Sequence, residues 1–492
     1  MKKLFILLAI GFSMQTFYAQ TISDAVRYSS QEITGTARYR GVGGAFGALG
    51  GDISAINNNP AGSAIFNRSF VTLSLSSGNY DNQTYYNDGI TATDKTDIDL
   101  NQFGAVFVSP NTIGGLRKFA FSFNYDRSND FDNSFIASGI STNSIADYFL
   151  GYAQGVPLNI LKSKNYQELG ETENFSAQQA FLGYEGYLID PLSDSGNNTE
   201  YATAQNGNSY SQEYQYTTSG NNSKFSFNAA AQVTENLYLG INLNAHTFNF
   251  TKQTVFFEDN TSVNNAVTNT RFDNELRSYG SGGSLQIGGI YHLSPNLRLG
   301  ATYDTPTYYT ISEETEQYLA TSGTNNDVIL SPNVTNIYED YDFQTPGKAT
   351  GSLAYVFGSN GFLSFDYSYE DYTSMKFRPD NDLYFQQVNS SIGSELKGVS
   401  TYKLGGEFLS GNWSFRGGYR FKETPYKNEN VVGDLTGYSV GLGYALGNAR
   451  IDIAYDWAKQ QSNQALYESA FTNTAYIDNI NTNIVASLSF QL

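Results

Sequence analysis

Nine-residue stretches of strict alternation, repeated along 492 residues, constrain this chain more than any motif in it. In 118–126, KFAFSFNYD, Phe119, Phe121, Phe123 and Tyr125 share one face of an extended chain, while Ala120, Ser122 and Asn124 share the other. Side chains of a strand point alternately to its two faces, so this is a strand with one greasy and one small or polar face. The same reading fits 361–369, where Leu363, Phe365, Tyr367 and Tyr369 oppose Ser364, Asp366 and Ser368. It also fits 449–457, where Ile451, Ile453, Tyr455 and Trp457 oppose Asp452, Ala454 and Asp456. Fourteen segments qualify: 68–76, 99–108, 118–126, 224–233, 237–246, 284–293, 297–305, 349–357, 361–369, 401–409, 413–421, 436–445, 449–457 and 483–491. Segment 99–108 fits least well, with apolar residues on both faces.

The connections alternate too. Residues 109–117, 234–236, 294–296, 358–360, 410–412 and 446–448 are short, and all but the first are three residues of Asn, Gly, Ser, Pro and similar turn formers. Each short connection is followed by a long one. Short turns at one end and long loops at the other predict a membrane barrel, not a sandwich. The expected fold is all-β: a 14-stranded antiparallel transmembrane β-barrel over 68–492, with a long extracellular loop at 127–223. Fourteen strands enclose a bore too wide for their own side chains to fill, so the apolar faces belong against lipid and the polar faces inside.

Composition agrees. With 38 Tyr, 34 Phe and 47 Gly but no Cys, strands and turns are favoured, and thiol catalysis, disulfides and Cys-ligated metals are excluded. A net charge of −19 argues against nucleic acid. Lys2 and Lys3 followed by the apolar run Leu4 to Phe12, with Ala19 before a cut, read as a signal peptide over 1–19. No later run approaches 18 apolar residues. The reading is a multi-pass barrel of a Gram-negative outer membrane, with both termini periplasmic. The chain ends SFQL, with Phe490 two places before Leu492 where such barrels usually place an aromatic.

Residues 20–67 precede the first strand. They are rich in Gly and Ala and hold two short helix-like stretches, SDAVRYSS and GALGGDISAI. The segment is too long for a tail and suits a small hatch inside the lumen. GVGGAFGALGGDISAINNNPAGSAIF resembles the N-terminal hatch of the FadL/TodX-type outer-membrane transporters of long-chain fatty acids and other hydrophobic compounds. LRLGATYDTP at 297–306 and FRGGYRFKETPY at 415–426 agree with that resemblance. It implies a fourteen-stranded barrel plugged by its N-terminus. It also implies passive passage: capture among outer loops, an apolar pocket in the lumen, a hatch shift and lateral release into the membrane. By the same resemblance, Asn59, Pro60 and Ala61 hold the hatch conformation against the wall, with Gly62 completing the motif. Pro60 fixes φ and biases Asn59 to an extended shape, and Gly41, Gly43 and Gly44 permit close approach or positive φ. The plain alternative is an ordinary Asn-Pro turn. Unlike the best-known members, this chain has its longest loop after the third strand. Helix-like SIADYFLGYAQ and SAQQAFLGYEGYL there offer an external greasy groove or the loop's own core.

Alternation places Arg298, Asp304, Asp366, Lys403, Glu407, Arg416, Arg420, Asp452 and Asp456 on the lumen face. Arg416, Arg420 and Lys403 are the candidate ligand-binding residues, receiving a carboxylate by charge-assisted hydrogen bonds. The competing reading is an ion-pair ladder that anchors the hatch. His246 and His292, at the ends of strands five and six, make no metal pair. Asp126, Asp130 and Asp132 with Asn129 and Asn133 offer oxygen ligands for Ca²⁺ but lack a calcium-loop spacing. HExxH and GxxxxGK[ST] are absent, and no enzyme, catalytic residue, metal or cofactor is expected. The expected partners are a hydrophobic small molecule such as a fatty acid, outer-membrane lipid and the barrel assembly machinery, with the chain monomeric. The alternatives are a surface binding protein with a sealed barrel, a transporter of haem or aromatic hydrocarbons, and a polar-solute porin.

Overall fold

The computed structural model describes residues 21–109, 117–205, 207, 209–260, 267–323, 327–467 and 471–492. The leader expected over 1–19 and most of the turn expected at 109–117 lie outside the described residues. Fourteen wall strands follow in chain order. They are β1 (Phe70–Tyr86), β2 (Gly89–Ser109), β3 (Lys118–Asp130, continued by Asn133–Ser141), β4 (Tyr210–Gln232) and β5 (Leu237–Asn260). Next come β6 (Asn269–His292), β7 (Leu297–Asp304 and Tyr308–Ser322), β8 (Tyr341–Gln344 and Lys348–Val356) and β9 (Gly361–Asp371). β10 (Gly398–Ser410), β11 (Trp413–Lys422), β12 (Leu435–Leu446), β13 (Ala449–Ala465) and β14 (Thr474–Gln491) complete the wall. Each is antiparallel to the next, and β14 pairs back onto β1 from Gln491↔Phe70 to Tyr476↔Tyr85, which closes the cylinder. Closure pairs backbone groups that hydrocarbon would leave unsatisfied. Every alternating segment falls on a different wall strand.

The greasy faces point outward. On β5, Leu239, Ile241 and Leu243 are exposed, while Asn242, Asn244 and His246 between them are buried. On β13, Ile451, Ile453 and Tyr455 are exposed and Asp452 and Asp456 are buried. So large an apolar surface, repeated around the wall, belongs in a bilayer. Tyr291, Tyr355, Phe357, Trp413 and Phe490 rim its turn end.

The wall outruns the membrane at the other end. β4, β5 and β6 are 23, 24 and 24 residues long, where about 10 suffice to cross. Past Ala245 the outward positions of β5 turn polar: Thr247, Asn249, Thr251 and Gln253. His246 therefore sits mid-strand, bonded to Ser284 Oγ at 3.0 Å, rather than ending its strand; His292 does end β6.

Much of 127–223 is wall rather than loop, because β3 and β4 continue through both ends of it. The remainder holds α4 (Ala146–Ala153), α5 (Leu158–Ser163), α6 (Tyr166–Thr172) and α7 (Phe175–Glu185). Both helix-like stretches are helices, and their apolar residues form the segment's own core. Phe149 packs on Phe272, with ring centroids 5.0 Å apart, and Tyr148 packs on Tyr467 at 4.9 Å. The cluster draws on the inner faces of β1, β3, β4, β5, β6, β7 and β14, so the helices lie across the loop end of the bore as a lid.

The N-terminal segment lies inside the bore. α1 (Ile22–Ser29) opens with a capping box between Thr21 and Asp24 and packs Tyr28 on Phe248. An extended connector, 30–35, leads to α2 (Ala37–Gly41), α3 (Ala55–Asn58) and a 3-10 turn, Pro60–Ile65. SDAVRYSS is the helix expected, whereas only the end of GALGGDISAI is helical.

Candidate functional site

Asn57-Asn58-Asn59-Pro60 joins hatch to wall. Extended Asn59 caps the 3-10 turn by accepting from the Ala61 amide at 3.1 Å, and Pro60 takes the first helical place, where no amide is needed. Asn59 Nδ2 donates to the carbonyls of Gly47 at 2.7 Å and of Gly289 on β6 at 3.0 Å. The Pro60 carbonyl accepts from Asn228 Nδ2 on β4 at 2.9 Å, and the Asn57 carbonyl from Gln286 Nε2 on β6 at 2.8 Å. An isolated turn would need none of these wall partners. Gly43 and Gly44 have φ of +64° and +73°.

Charges fix the hatch to the far wall. Arg38 forks onto Glu407 of β10 at 2.9 and 2.8 Å, and Arg40 onto Asp456 of β13 at 2.9 Å for both bonds. Burial alone would lower the Arg38 pKa, but the Glu407 carboxylate more than offsets it and holds the guanidinium above its usual value. Asp366 of β9 accepts from the Phe46 and Gly47 amides at 3.1 Å each and from Asn58 Nδ2 at 2.7 Å. Arg298 donates to the Leu49 carbonyl at 3.1 Å.

All nine charges placed on the lumen face by alternation do face inward, but the three candidate ligand-binding cations among them are placed differently. Arg416, with a side chain 0% exposed, sits between Glu407 at 2.6 Å and Asp452 at 2.8 Å, inside the ion-pair ladder. Lys403 and Arg420, directly opposite each other on β10 and β11, line a chamber of about 410 Å³ above the hatch, and Arg420 also lies 3.9 Å from Asp456. Lys224, Lys348 and Lys422 share that lining, facing Glu32, Asp126, Asp130 and Glu370. The chamber is far more polar than the apolar pocket implied by the resemblance, because its walls are the polar faces of the strands. Enclosure within the bore, reinforced by Asp130, pushes the Glu32 carboxyl up to about 7, although its side chain is exposed to the chamber it lines.

Asp126 does not join the other aspartates; it accepts from Asn57 Nδ2 of the hatch. Asp130 and Asp132 gather with Asp97 around Arg127, so a guanidinium occupies the place that the calcium reading gave to an ion.

One stretch of wall lacks backbone pairing. β2 and β3 pair only from Ser109↔Phe119 to Gln102↔Asp126. Beyond that level β2 stays paired to β1 as far as Gly89, and β3 stays paired to β4. Residues 95–101 and 127–132 thus frame a window, closed above by Thr93 Oγ1 donating to the Ser134 carbonyl at 2.7 Å. Chamber-lining Ser128, Asn129, Asp130 and Asp132 form its inner rim. Outside, Ile98, 74% exposed, and Leu100 carry the apolar band past this level.

A solved FadL homologue from Pseudomonas aeruginosa superposes with a TM-score of 0.55 at 12% identity, over 94% of this chain and 99% of that one. The toluene transporter TodX of Pseudomonas putida superposes with a TM-score of 0.52 at 13% identity, over 94% of this chain and 100% of that one. This is the FadL-type fold. No family model and no curated protein matches the chain, so the likeness is one of architecture.

Within the FadL-type fold, the sequence reading missed the wall's half of the hatch seal. A Cβ on Gly405 of β10 would lie 2.1 Å from the Val42 carbonyl oxygen, and one on Gly418 of β11 2.2 Å from the Gly43 amide nitrogen. Gly-Gly pairs inside otherwise regular strands, YKLGGEF and FRGGYRF, are the signal that backbone approaches there. The window was also missed, because it depends on where pairing stops.

Proposed function

We propose that the chain is a passive outer-membrane channel for hydrophobic or amphiphilic small molecules, most plainly long-chain fatty acids, released sideways into the bilayer after the hatch shifts. In this reading the turn end and both termini face the periplasm, 1–19 is a cleaved leader, 20–67 is the mobile hatch and 68–492 is the channel wall. The observation that carries it is the unpaired window between β2 and β3, where the chamber meets the apolar band. Lys403 and Arg420, facing the chamber, suit a cargo with an anionic head, which favours a fatty acid over a plain hydrocarbon. The toluene transporter that shares the architecture keeps aromatic hydrocarbons as the competing cargo. The reading requires no nucleotide and no reacting group.

Tethering tests it. The chain has no cysteine, so S63C with N228C places the only thiols between hatch and β4. Cells carrying the oxidised pair should lose uptake of labelled oleate and regain it on reduction, with folded barrel unchanged on unheated gels. Uptake indifferent to the tether would reject the hatch mechanism. The packed lid favours a second reading, a sealed surface binding protein, in which gene deletion leaves oleate uptake unaltered.

A further inference from the structure

We propose that Arg127 is the latch of the window, a residue that positions β3 against β2 where no backbone bonds do so. This deepens the transport reading and rests on it for what passes through. Across the gap β2 and β3 share no ladder pairs; side chains bridge it, and Lys95 Nζ also donates to the Thr218 carbonyl of β4 at 3.1 Å. The Arg127 guanidinium, on β3, meets Asp99 on β2 directly and lies 3.7 Å from Asp97, while also holding Asp130 at 2.9 Å and Asp132 at 3.6 Å. Lys95 of β2 reaches Asp132 at 2.6 Å. Four carboxylates thus share two cations, and among the described residues only Arg127 touches carboxylates on both sides of the gap. Its side chain is 8% exposed, so water screens these attractions weakly. Without the guanidinium, two acidic rims would face each other and repel.

The inner side of the same gap is held by the connector. The Glu32 amide donates to the Ser128 carbonyl at 3.1 Å, taking the place of a missing neighbour strand. Asn129 Nδ2 donates to the Ser30 carbonyl at 3.4 Å, and Asn101 Nδ2 donates to the Gly35 carbonyl. The connector therefore lines the window from within while Arg127 ties its two edges. A hatch shift that draws 30–35 away leaves the ion cluster as the last closure. Gating then has two parts, a hydrogen-bonded strip and a charge latch, and the latch is the one a single side chain controls.

Hydrogen exchange on purified protein in lipid nanodiscs tests the latch apart from transport, with labelled oleate uptake measured in parallel. In R127Q, peptides covering 95–101 and 127–132 should exchange about tenfold faster than in the unaltered protein, the scale of losing charge-assisted hydrogen bonds. The rest of the wall should be unchanged, and R127K should exchange more slowly than R127Q. D99N, which keeps the guanidinium but removes its partner across the gap, should loosen the same peptides less, and it serves if R127Q fails to fold. Wild-type exchange at the window in both variants would overturn the latch, as would an equal rise throughout the barrel. If the window loosens as described but neither protein supports oleate uptake, the latch stands and the transport reading falls.

Discussion

The two ends of the bore are closed by different balances of apolar and polar contact. At the loop end, the lid is a dense aromatic core in which Phe149, Phe256 and Phe272 are fully buried. At the turn end, the hatch meets the wall through asparagine caps, two forked Arg–carboxylate pairs and backbone laid against glycines, with smaller apolar clusters such as Phe46 on Phe362 beside them. Apolar burial is non-directional and tolerates small displacements, so the lid behaves as one fused unit with the strand ends beneath it. Hydrogen bonds and ion pairs are directional, and water can replace them. A seal with more of the second kind lets go and re-forms more readily than one dominated by the first.

That contrast can be broken by experiment. The largest effect belongs to the lid: F149A should cost about 4 kcal/mol, the usual scale for emptying a buried Phe site. Hydrogen exchange should rise across 144–205 and not across 36–66; a rise in both would mean that the seals are coupled. Next, D456A strands the buried Arg40 guanidinium and should weaken hatch docking by about 3 kcal/mol. It should expose 36–66 to protease while the lid stays protected.

G418A inserts a methyl where the hatch backbone lies. It should displace the hatch at a cost of about 2 kcal/mol, read as faster exchange at 40–48, whereas alanine at Gly417, with open space at its Cβ, should be neutral. The smallest effect is that of pH on the connector. Glu32 titrates near 7 when docked against 4.5 in the open chain, among Asp130, Arg420, Arg40 and Asp456. A raised carboxyl favours docking below about pH 4.5 and loses that contribution as pH climbs through about 7. Exchange of 30–35, corrected for its intrinsic rate, should therefore be slower at pH 5 than at pH 8. Protection that grew with pH would refute this.

How much of this was legible beforehand follows from the same physics. Strand number, order and facing were readable because lipid imposes one repeated rule, apolar out and polar in, on every crossing. Past the bilayer the rule changes. Phe248, Phe250 and Phe256 of β5 point inward toward α1 and the lid, so a polar outer face no longer marks a lumen. That is why the wall looked shorter in sequence than it is. The hatch was readable from Asn59-Pro60-Ala61-Gly62, and its wall partners Gly405 and Gly418 were not, since each glycine makes sense only beside the other's backbone. Arg416 and Arg420 looked alike from alternation, and only depth in the bore separates a buried ladder rung from a chamber wall. Arg127 was invisible, because its role comes from Asp97 and Asp99 on another strand and from the place where pairing ends.

The fit between hatch and wall also bears on how the molecule is made. A peptide whose main chain rests where the cylinder has no side chains cannot easily be threaded in once the last seam, between β14 and β1, has zipped. The hatch runs straight into β1, so the cylinder is expected to close around it. Sealing of that seam and seating of the plug are then a single event during insertion, and damage to the plug should surface first as a defect in biogenesis.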